Sequence, residues 1–117
     1  MAASKELVTK VLETINAAAS TGKIRKGVNE ATKSVERGLA KLVVIAEDVE
    51  PKEIVMHLPM LCDEKQIPYF SVPSKDNLGK AAGIPVATTA ISIVDAGEAA
   101  NALKSLLKEI GPKGEQA

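Results

Sequence analysis

Aromatic residues are nearly absent from this sequence of 117 residues, which has no tryptophan, one tyrosine and one phenylalanine. RNA-recognition sheets and single-strand binders stack bases on exposed aromatic side chains, so that mode of binding is excluded. Cys62 is the only cysteine and His57 the only histidine, and one chain therefore cannot assemble a zinc site from nitrogen and sulfur ligands. A single cysteine also excludes an internal disulfide and is typical of a reducing compartment.

Long hydrophobic runs are missing as well. The longest obvious one, Leu42–Ala46, is far shorter than the roughly 20 residues that a membrane span needs. The N-terminal segment is amphipathic and lacks the apolar core of a secretory signal, so we expect a cytoplasmic protein without a membrane partner. With 45% apolar residues and no formal net charge, residues 1–117 should form a single domain with a flexible tail at 111–117.

Catalytic motifs are also lacking. The stretch Gly22–Gly27 has no Gly-Lys-Ser/Thr of a phosphate-binding loop, and Ser20 with Lys23 has a Ser-x-x-Lys spacing without its accompanying motifs. A lone histidine such as His57, on a helix with apolar neighbours, is more often packed or exposed than catalytic. The sequence therefore predicts a protein that is not an enzyme and that holds no cofactor and no metal ion.

Helix and strand patterns alternate along the chain. Apolar residues at helical spacing predict helices over 5–19 and over 97–110, and Ser74 should cap a helix that reaches Ala82. A helix from Asn29, with the apolar pattern Ala31, Val35 and Leu39, should be closed by Gly38 as its C-cap. A further helix starts at Pro51, and Pro59 should end or kink it. Strands are predicted at 23–26, 42–46, 69–72 and 88–94. This alternation predicts an α/β fold, a three-layer α/β/α sandwich around a small mixed central sheet.

The most informative stretch is Gly22–Lys33, which reads GKIRKGVNEATK. Gly27 permits a close approach to the backbone, and Asn29, Glu30 and Lys33 lie where a helix begins, whose free N–H groups suit an anion. Asn both donates and accepts, Glu accepts from guanine N–H groups, and Lys donates to guanine acceptor atoms. Alternatively, Asn29 only caps the helix, Glu30 complements its dipole and the lysines are solvated. The residues alone leave both interpretations open.

The run from Gly27 to Pro51, GVNEATKSVERGLAKLVVIAEDVEP, closely resembles the archaeal kink-turn-binding ribosomal protein family, the L7Ae group. The stretch His57–Lys65 continues the match, which covers residues 20–95 approximately. The resemblance implies an α/β/α sandwich that binds RNA kink-turns, where a bulge and tandem sheared G·A pairs bend the helix. Members of this family occur in the large ribosomal subunit and in guide-RNA particles, and they have been associated with ribonuclease P.

The resemblance also implies particular RNA contacts. Asn29, Glu30 and Lys33 would read the guanines of the sheared pairs, and Gly27 would let the backbone approach. Arg25 and Lys26 would lie near phosphates. The residues that flank the bulge would be Glu50, Ile54 and Lys75. The loop over residues 84–88 would pack on the flipped-out nucleotide, with Ile84, Val86 and Ala87 as its contact residues.

The loop over residues 84–88 departs from the family pattern. Relatives often carry arginine in this loop, and here Val86 stands in its place. The missing charge implies that a broader set of kink-turns is accepted. Simple burial of Ile84 and Val86 at the start of the following strand is the alternative.

The function implied by the resemblance is that of a non-catalytic RNA-architecture protein, monomeric when free. Its expected partners are kink-turn RNA in rRNA and in box C/D and H/ACA guide RNAs, together with guide-particle core proteins and ribosomal proteins. A ribosome-only paralogue that binds one rRNA site is an alternative. A protein-interaction adaptor that docks through the acidic segment 47–64 is another, and an enzyme or small-ligand module has the least support.

Overall fold

The computed structural model describes residues 5–49 and 53–110, so the predicted tail at 111–117 lies outside the described residues. The helices are α1 (Lys5–Thr21), α2 (Val28–Glu36), α3 (Glu53–Lys65), α4 (Lys75–Ala81) and α5 (Ala100–Ile110), with a 3-10 turn at Gly97–Ala99. The strands are β1 (Lys23–Lys26), β2 (Leu42–Ala46), β3 (Tyr69–Val72) and β4 (Ala90–Asp95). None of the helices within these two ranges is long and apolar enough to cross a bilayer.

The four strands form one mixed sheet in the order β1-β4-β2-β3. Strands β2 and β3 are parallel, and β4 runs antiparallel to both of its neighbours, β1 and β2. Strand β1 therefore runs in the same direction as β2 and β3. As a result, the carboxyl ends of β1, β2 and β3 meet the start of β4 at one end of the sheet.

Helices cover both faces of this sheet, which confirms the predicted α/β fold. On one face α1 contacts α4 and α5, and on the other α2 contacts α3. All residues of β2 are buried, as its run of apolar, mostly β-branched residues predicts for a strand that is covered on both sides. The largest side chains of the core come from both layers and from the sheet, and include Ile15, Leu58, Phe70, Leu78, Ile91 and Leu106.

Gly38, with a φ of 70°, closes α2 as predicted, whereas α3 runs through the proline that was expected to end or kink it. Helix α2 ends at Glu36, and Leu39 is 50% exposed, because the N–H groups of Gly38 and Leu39 turn back to the carbonyls of Val35 and Ser34. Helix α3 does not end near His57 but continues past Pro59 to Lys65. Proline removes one backbone hydrogen bond, and the burial of the side chains of Leu58 and Cys62 on either side of it stabilises the helix against that loss.

A buried polar pair joins α2 to the centre of the sheet. The hydroxyls of Ser34 in α2 and Ser92 in β4 lie 2.7 Å apart, and the Ser34 oxygen also lies 2.7 Å from the carbonyl oxygen of Ala31. Ser92 is fully buried and Ser34 is 4% exposed. Because both hydroxyls have partners, this pair fixes the position of α2 on the sheet without leaving a polar group unsatisfied.

Removal of Ser34 should destabilise the protein more than removal of both serines. Ser34→Ala leaves the buried Ser92 hydroxyl without its partner, which costs about 1–3 kcal/mol of the free energy of unfolding. The double variant Ser34→Ala/Ser92→Ala removes both polar groups and should recover most of that loss in urea denaturation. A double variant no more stable than Ser34→Ala would show that the Ser92 hydroxyl is not the group left unsatisfied.

Candidate nucleic-acid interface

The end of the sheet where three strands finish brings together the starts of α2 and α4. The N–H of Gly27, just before α2, donates to the carbonyl of Ala90 at 2.8 Å. The N–H of Ala46, at the end of β2, donates to the carbonyl of Thr89 at 2.9 Å. The N–H of Thr88 donates to the carbonyl of Lys75, the first residue of α4, at 3.2 Å. The segment leading into β4 therefore links the two helix starts to the sheet.

Gly27 is the N-cap of α2, and it leaves the helix start open. Its backbone has φ 92° and ψ 158°, a combination that only glycine adopts readily, and no side chain caps the helix. A Cβ built on Gly27 would have nothing within 4 Å, so the space above it is open. In the first turn of α2, the first N–H that forms a backbone hydrogen bond is that of Ala31, which donates to the carbonyl of Gly27. The backbone N–H groups of residues 28–30 are left for a ligand.

The three predicted base-reading residues lie on the outer side of α2. Asn29, Glu30 and Lys33 are exposed, whereas Ala31 and Val35 face the core. Asn29 is not the cap, so that part of the alternative interpretation is wrong, whereas Glu30 in the first turn and the exposed Lys33 agree with its other parts. None of the three side chains is hydrogen-bonded to another of the described residues. Amide, carboxylate and ammonium groups are thus displayed together beside the free N–H groups.

The predicted phosphate neighbours flank this helix start on the edge strand β1. Arg25 pairs in register with Ser92, whose hydroxyl meets α2, so Arg25 lies on the α2 face of the sheet. Lys26 is paired with Ile91 and lies on the opposite face, because side chains alternate along a strand. Both side chains are exposed. The structure therefore brings both cations near Gly27 but places them on different faces of the strand.

A hydrogen bond between Thr32 and His57, which the sequence did not reveal, holds α2 against α3. The Thr32 hydroxyl donates to the carbonyl of Val28 at 2.6 Å and lies 2.9 Å from Nε2 of His57. Since the hydroxyl proton is used on Val28, we assign the donated proton of the second contact to Nε2. Thr32 and His57 are 25 residues apart, and no local sequence pattern indicates that they meet.

The start of α4 is held by a second contact that the sequence did not reveal. Oδ1 of Asp48 accepts the backbone N–H of Lys75 at 2.9 Å, and Oγ of Ser74 caps the helix by accepting from Asn77, as predicted. Lys75 is half-buried, and its position follows from these bonds. Glu50 lies outside the described residues, and Ile54 belongs to α3 but its side chain lies outside them as well.

The loop at residues 84–87 packs on α4 and displays apolar side chains. A Cβ on Gly79 would lie only 2.1 Å from the carbonyl oxygen of Val86, so the loop sits here only because residue 79 is glycine. Ile84 is half-buried against the core, whereas Val86 is 66% exposed and Ala87 is exposed. Simple burial therefore explains Ile84 and is wrong for Val86, which projects into solvent.

Neither an aromatic platform nor a reactive thiol accompanies this surface. Tyr69 and Phe70, the only aromatic residues of the chain, are buried in β3. Burial, with a smaller contribution from the charge of Asp63, raises the pKa of Cys62 to about 12. The thiol is therefore neutral near pH 7 and is a poor nucleophile.

Gly27→Ala should destabilise the protein by about 1–3 kcal/mol, because an alanine Cβ is strained at this φ even though it meets no neighbouring atom. Urea denaturation measures the loss. Lys26→Ala, at an exposed position of ordinary strand backbone, is the control and should change stability by less than about 0.5 kcal/mol. Equal stability of Gly27→Ala and the wild type would contradict the assigned backbone conformation.

Comparison with known proteins places this chain in a family. The family model described as "Ribosomal protein L7Ae/L30e/S12e/Gadd45 family" matches residues 9–103. A solved structure, the Giardia lamblia 15.5kD RNA binding protein, is 39% identical to this chain and superposes with a TM-score of 0.87. The match covers 92% of this chain and 89% of that one. The archaeal origin that the resemblance implies stays a prediction. The chain belongs to the ribosomal protein L7Ae/L30e/S12e/Gadd45 family.

Proposed function

We propose that this protein is a non-catalytic RNA-binding protein that recognises kink-turn RNA and stabilises its bend. The observation that carries the proposal is the uncapped start of α2, where free backbone N–H groups lie beside the exposed side chains of Asn29, Glu30 and Lys33. Membership of a ribosomal protein family and the similarity to an RNA binding protein from Giardia lamblia support RNA as the ligand.

The backbone of the RNA would meet the positive part of this surface. The free N–H groups at the start of α2 and the helix dipole favour an anion. Arg25 and Lys26 extend positive charge along the edge strand, and Lys75 adds an amine at the start of α4. A kink brings phosphates of the two RNA arms close together, so cations placed here would reduce the repulsion that opposes the bend.

The bases of the RNA would be read by the side chains on the outer face of α2. A carboxylate such as Glu30 is unfavourable beside phosphates unless it accepts hydrogen bonds, and the N–H groups of guanine are suitable donors. Asn29 can donate and accept at a base edge, and Lys33, one turn further along the same face, can donate to guanine acceptor atoms. The trio is thus suited to the guanines of tandem sheared G·A pairs.

The loop at residues 84–87 would pack against the nucleotide that leaves the helix at the bulge. Exposed Val86 and Ala87 offer apolar contact area, and the close packing at Gly79 holds the loop in place. With valine in place of arginine, this contact relies on shape and apolar area rather than charge. We infer a loop that tolerates different bulged nucleotides and hence a broader choice of kink-turns.

The mechanism follows from preferential affinity for one RNA conformation. A protein shifts the equilibrium between straight and bent RNA only by binding the bent form more tightly. The contacts of Gly27 with Ala90 and of Thr32 with His57 hold the reading surface in one arrangement before RNA arrives. Pre-organisation of this kind reduces the entropy lost on binding.

The cellular setting that we propose is the large ribosomal subunit and the box C/D and H/ACA guide-RNA particles, with ribonuclease P as a further site, in the cytoplasm. Ribosomal proteins and guide-particle core proteins would be the protein partners. Crosslinking of the protein to cellular RNA distinguishes this setting from a ribosome-only role. Recovery of several RNAs that share a bulge beside tandem G·A pairs is the expected outcome, and recovery of one rRNA site alone would limit the protein to the ribosome.

Glu30→Ala should weaken binding to a kink-turn RNA by about 1–3 kcal/mol, roughly a 5- to 150-fold rise in Kd, by analogy with base readout in DNA. The reason is that the guanine N–H donors lose their acceptor. Fluorescence anisotropy titration of labelled RNA measures the change.

The matched control for this titration is Glu36→Ala, which removes the same group from an exposed position at the other end of α2. It should leave the affinity for the kink-turn unchanged. A straight duplex of the same length should bind both variants and the wild type weakly and alike. Equal loss in the two variants would attribute the effect to overall charge and remove Glu30 from the reading group.

Val86→Arg should make kink-turn binding more dependent on salt. An added cation that neutralises one phosphate steepens the slope of log affinity against log salt by about 0.7–0.9. Ala102→Arg adds the same charge at an exposed position of α5 and should leave the slope at its wild-type value. Equal slopes for the wild type and Val86→Arg would mean that the loop lies away from the RNA.

A further inference from the structure

A second, separate groove lies at the opposite end of the sheet from the proposed RNA surface. Lys41 and Pro68 precede the first residues of β2 and β3, and Asp95 is the last residue of β4. Because β2 and β3 are parallel and β4 is antiparallel to β2, these three positions share the end of the sheet remote from Gly27 and Ala90. Helix α5 forms the other wall, and the cavity has a volume of about 480 Å³.

The groove combines an apolar floor with a basic rim. Ala96 and Leu103 are buried and Leu107 is half-buried, so the floor is aliphatic. Lys41 and Lys104 line it from the two walls, and neither forms an ion pair within the part of the chain that the structure describes.

Asp95 is the acid on this rim, and it keeps its negative charge beside the two lysines. Its Oδ1 accepts the backbone N–H of Gly97 at 2.9 Å. The groove therefore offers aliphatic surface and two ammonium groups that form no ion pair among the described residues, together with one carboxylate, so that cations outnumber anions on its rim.

The shape of the groove fits a peptide segment. Ala100, Leu103, Lys104 and Leu107 lie on one side of α5 and span about 10 Å, two turns of helix. Successive positions along such a wall can take successive side chains of a bound segment. An RNA strand fits it poorly, because an aliphatic floor offers no hydrogen-bond partners to the bases.

We propose that this groove docks a short segment of a partner protein that carries aliphatic anchor residues flanked by aspartate or glutamate. The aliphatic side chains would fill the floor, and the carboxylates would pair with Lys41 and Lys104. The chain's own residues 111–117, GPKGEQA, contain one acid and no large aliphatic side chain, so they do not fit this description. Because the groove is remote from Gly27, the segment and RNA can be bound at the same time.

Selection from a phage-displayed library of random peptides, about 12 residues long, tests the proposal with the full chain as bait. Selected peptides should be rich in Leu, Ile or Val next to Asp or Glu. Synthetic copies should bind the wild type and lose at least tenfold in affinity with Ala100→Trp, which fills the groove, and with Lys104→Glu, which reverses its charge.

Two matched controls use exposed positions of α5 that do not line the groove. Ala102→Trp and Lys108→Glu make the same changes and should leave peptide affinity unchanged. Equal stability of the four variants in urea shows that any loss is local. Saturating kink-turn RNA should leave peptide affinity unchanged, and Ala100→Trp should bind that RNA like the wild type, so failure here is distinct from failure of the RNA proposal.

Four outcomes would overturn the proposal. Peptides without acidic residues, or peptides that bind Ala100→Trp as tightly as the wild type, would show that the groove does not select this chemistry. A gain in peptide affinity on deletion of residues 111–117 would identify the chain's own tail as the occupant. Dimerisation in sedimentation that Ala100→Trp abolishes would identify a second copy of the chain.

Discussion

The backbone at Gly27 is the constraint on which the proposed RNA surface depends. Its N–H is bound to the carbonyl of Ala90, and its positive φ turns the chain from β1 into α2 without a capping side chain. A serine or aspartate cap would satisfy one of the free N–H groups and hide it. Glycine instead leaves these donors open and sets Asn29 and Glu30 in the first turn of the helix, facing outward.

Contacts between distant residues then hold the surface in place. Thr32 meets His57 across the two helices of one layer, and Asp48 accepts the first N–H of α4 from the end of β2. The mixed sheet also separates two surfaces of different chemistry. The helix starts and exposed polar groups lie at one end of the sheet, and the aliphatic groove with Lys41 and Lys104 lies at the other. A ligand bound at one surface therefore need not disturb the other surface.

Much of the fold could be predicted from local patterns. The buried run of β2, the edge strand β1 and the Ser74 cap of α4 follow from residue type and spacing alone, and the structure confirms them. Leu39 and Pro59 are exceptions, where the local pattern and the structure differ for different physical reasons. Helical spacing extends to Leu39, but backbone bonds end α2 before it, and the burial of Leu58 and Cys62 stabilises a helix that proline alone would favour ending.

The sequence by itself determined which donors and acceptors Asn29, Glu30 and Lys33 can offer, because amide, carboxylate and ammonium groups have the same donors and acceptors in any fold. It also determined the alternation of helices and strands, since hydrophobic periodicity is local. Only the tertiary structure decided that Val86 is exposed, that Gly27 and not Asn29 is the N-cap of α2, and that the start of α4 lies beside the start of α2. These depend on strand order and direction, which arise from contacts between residues far apart in the chain.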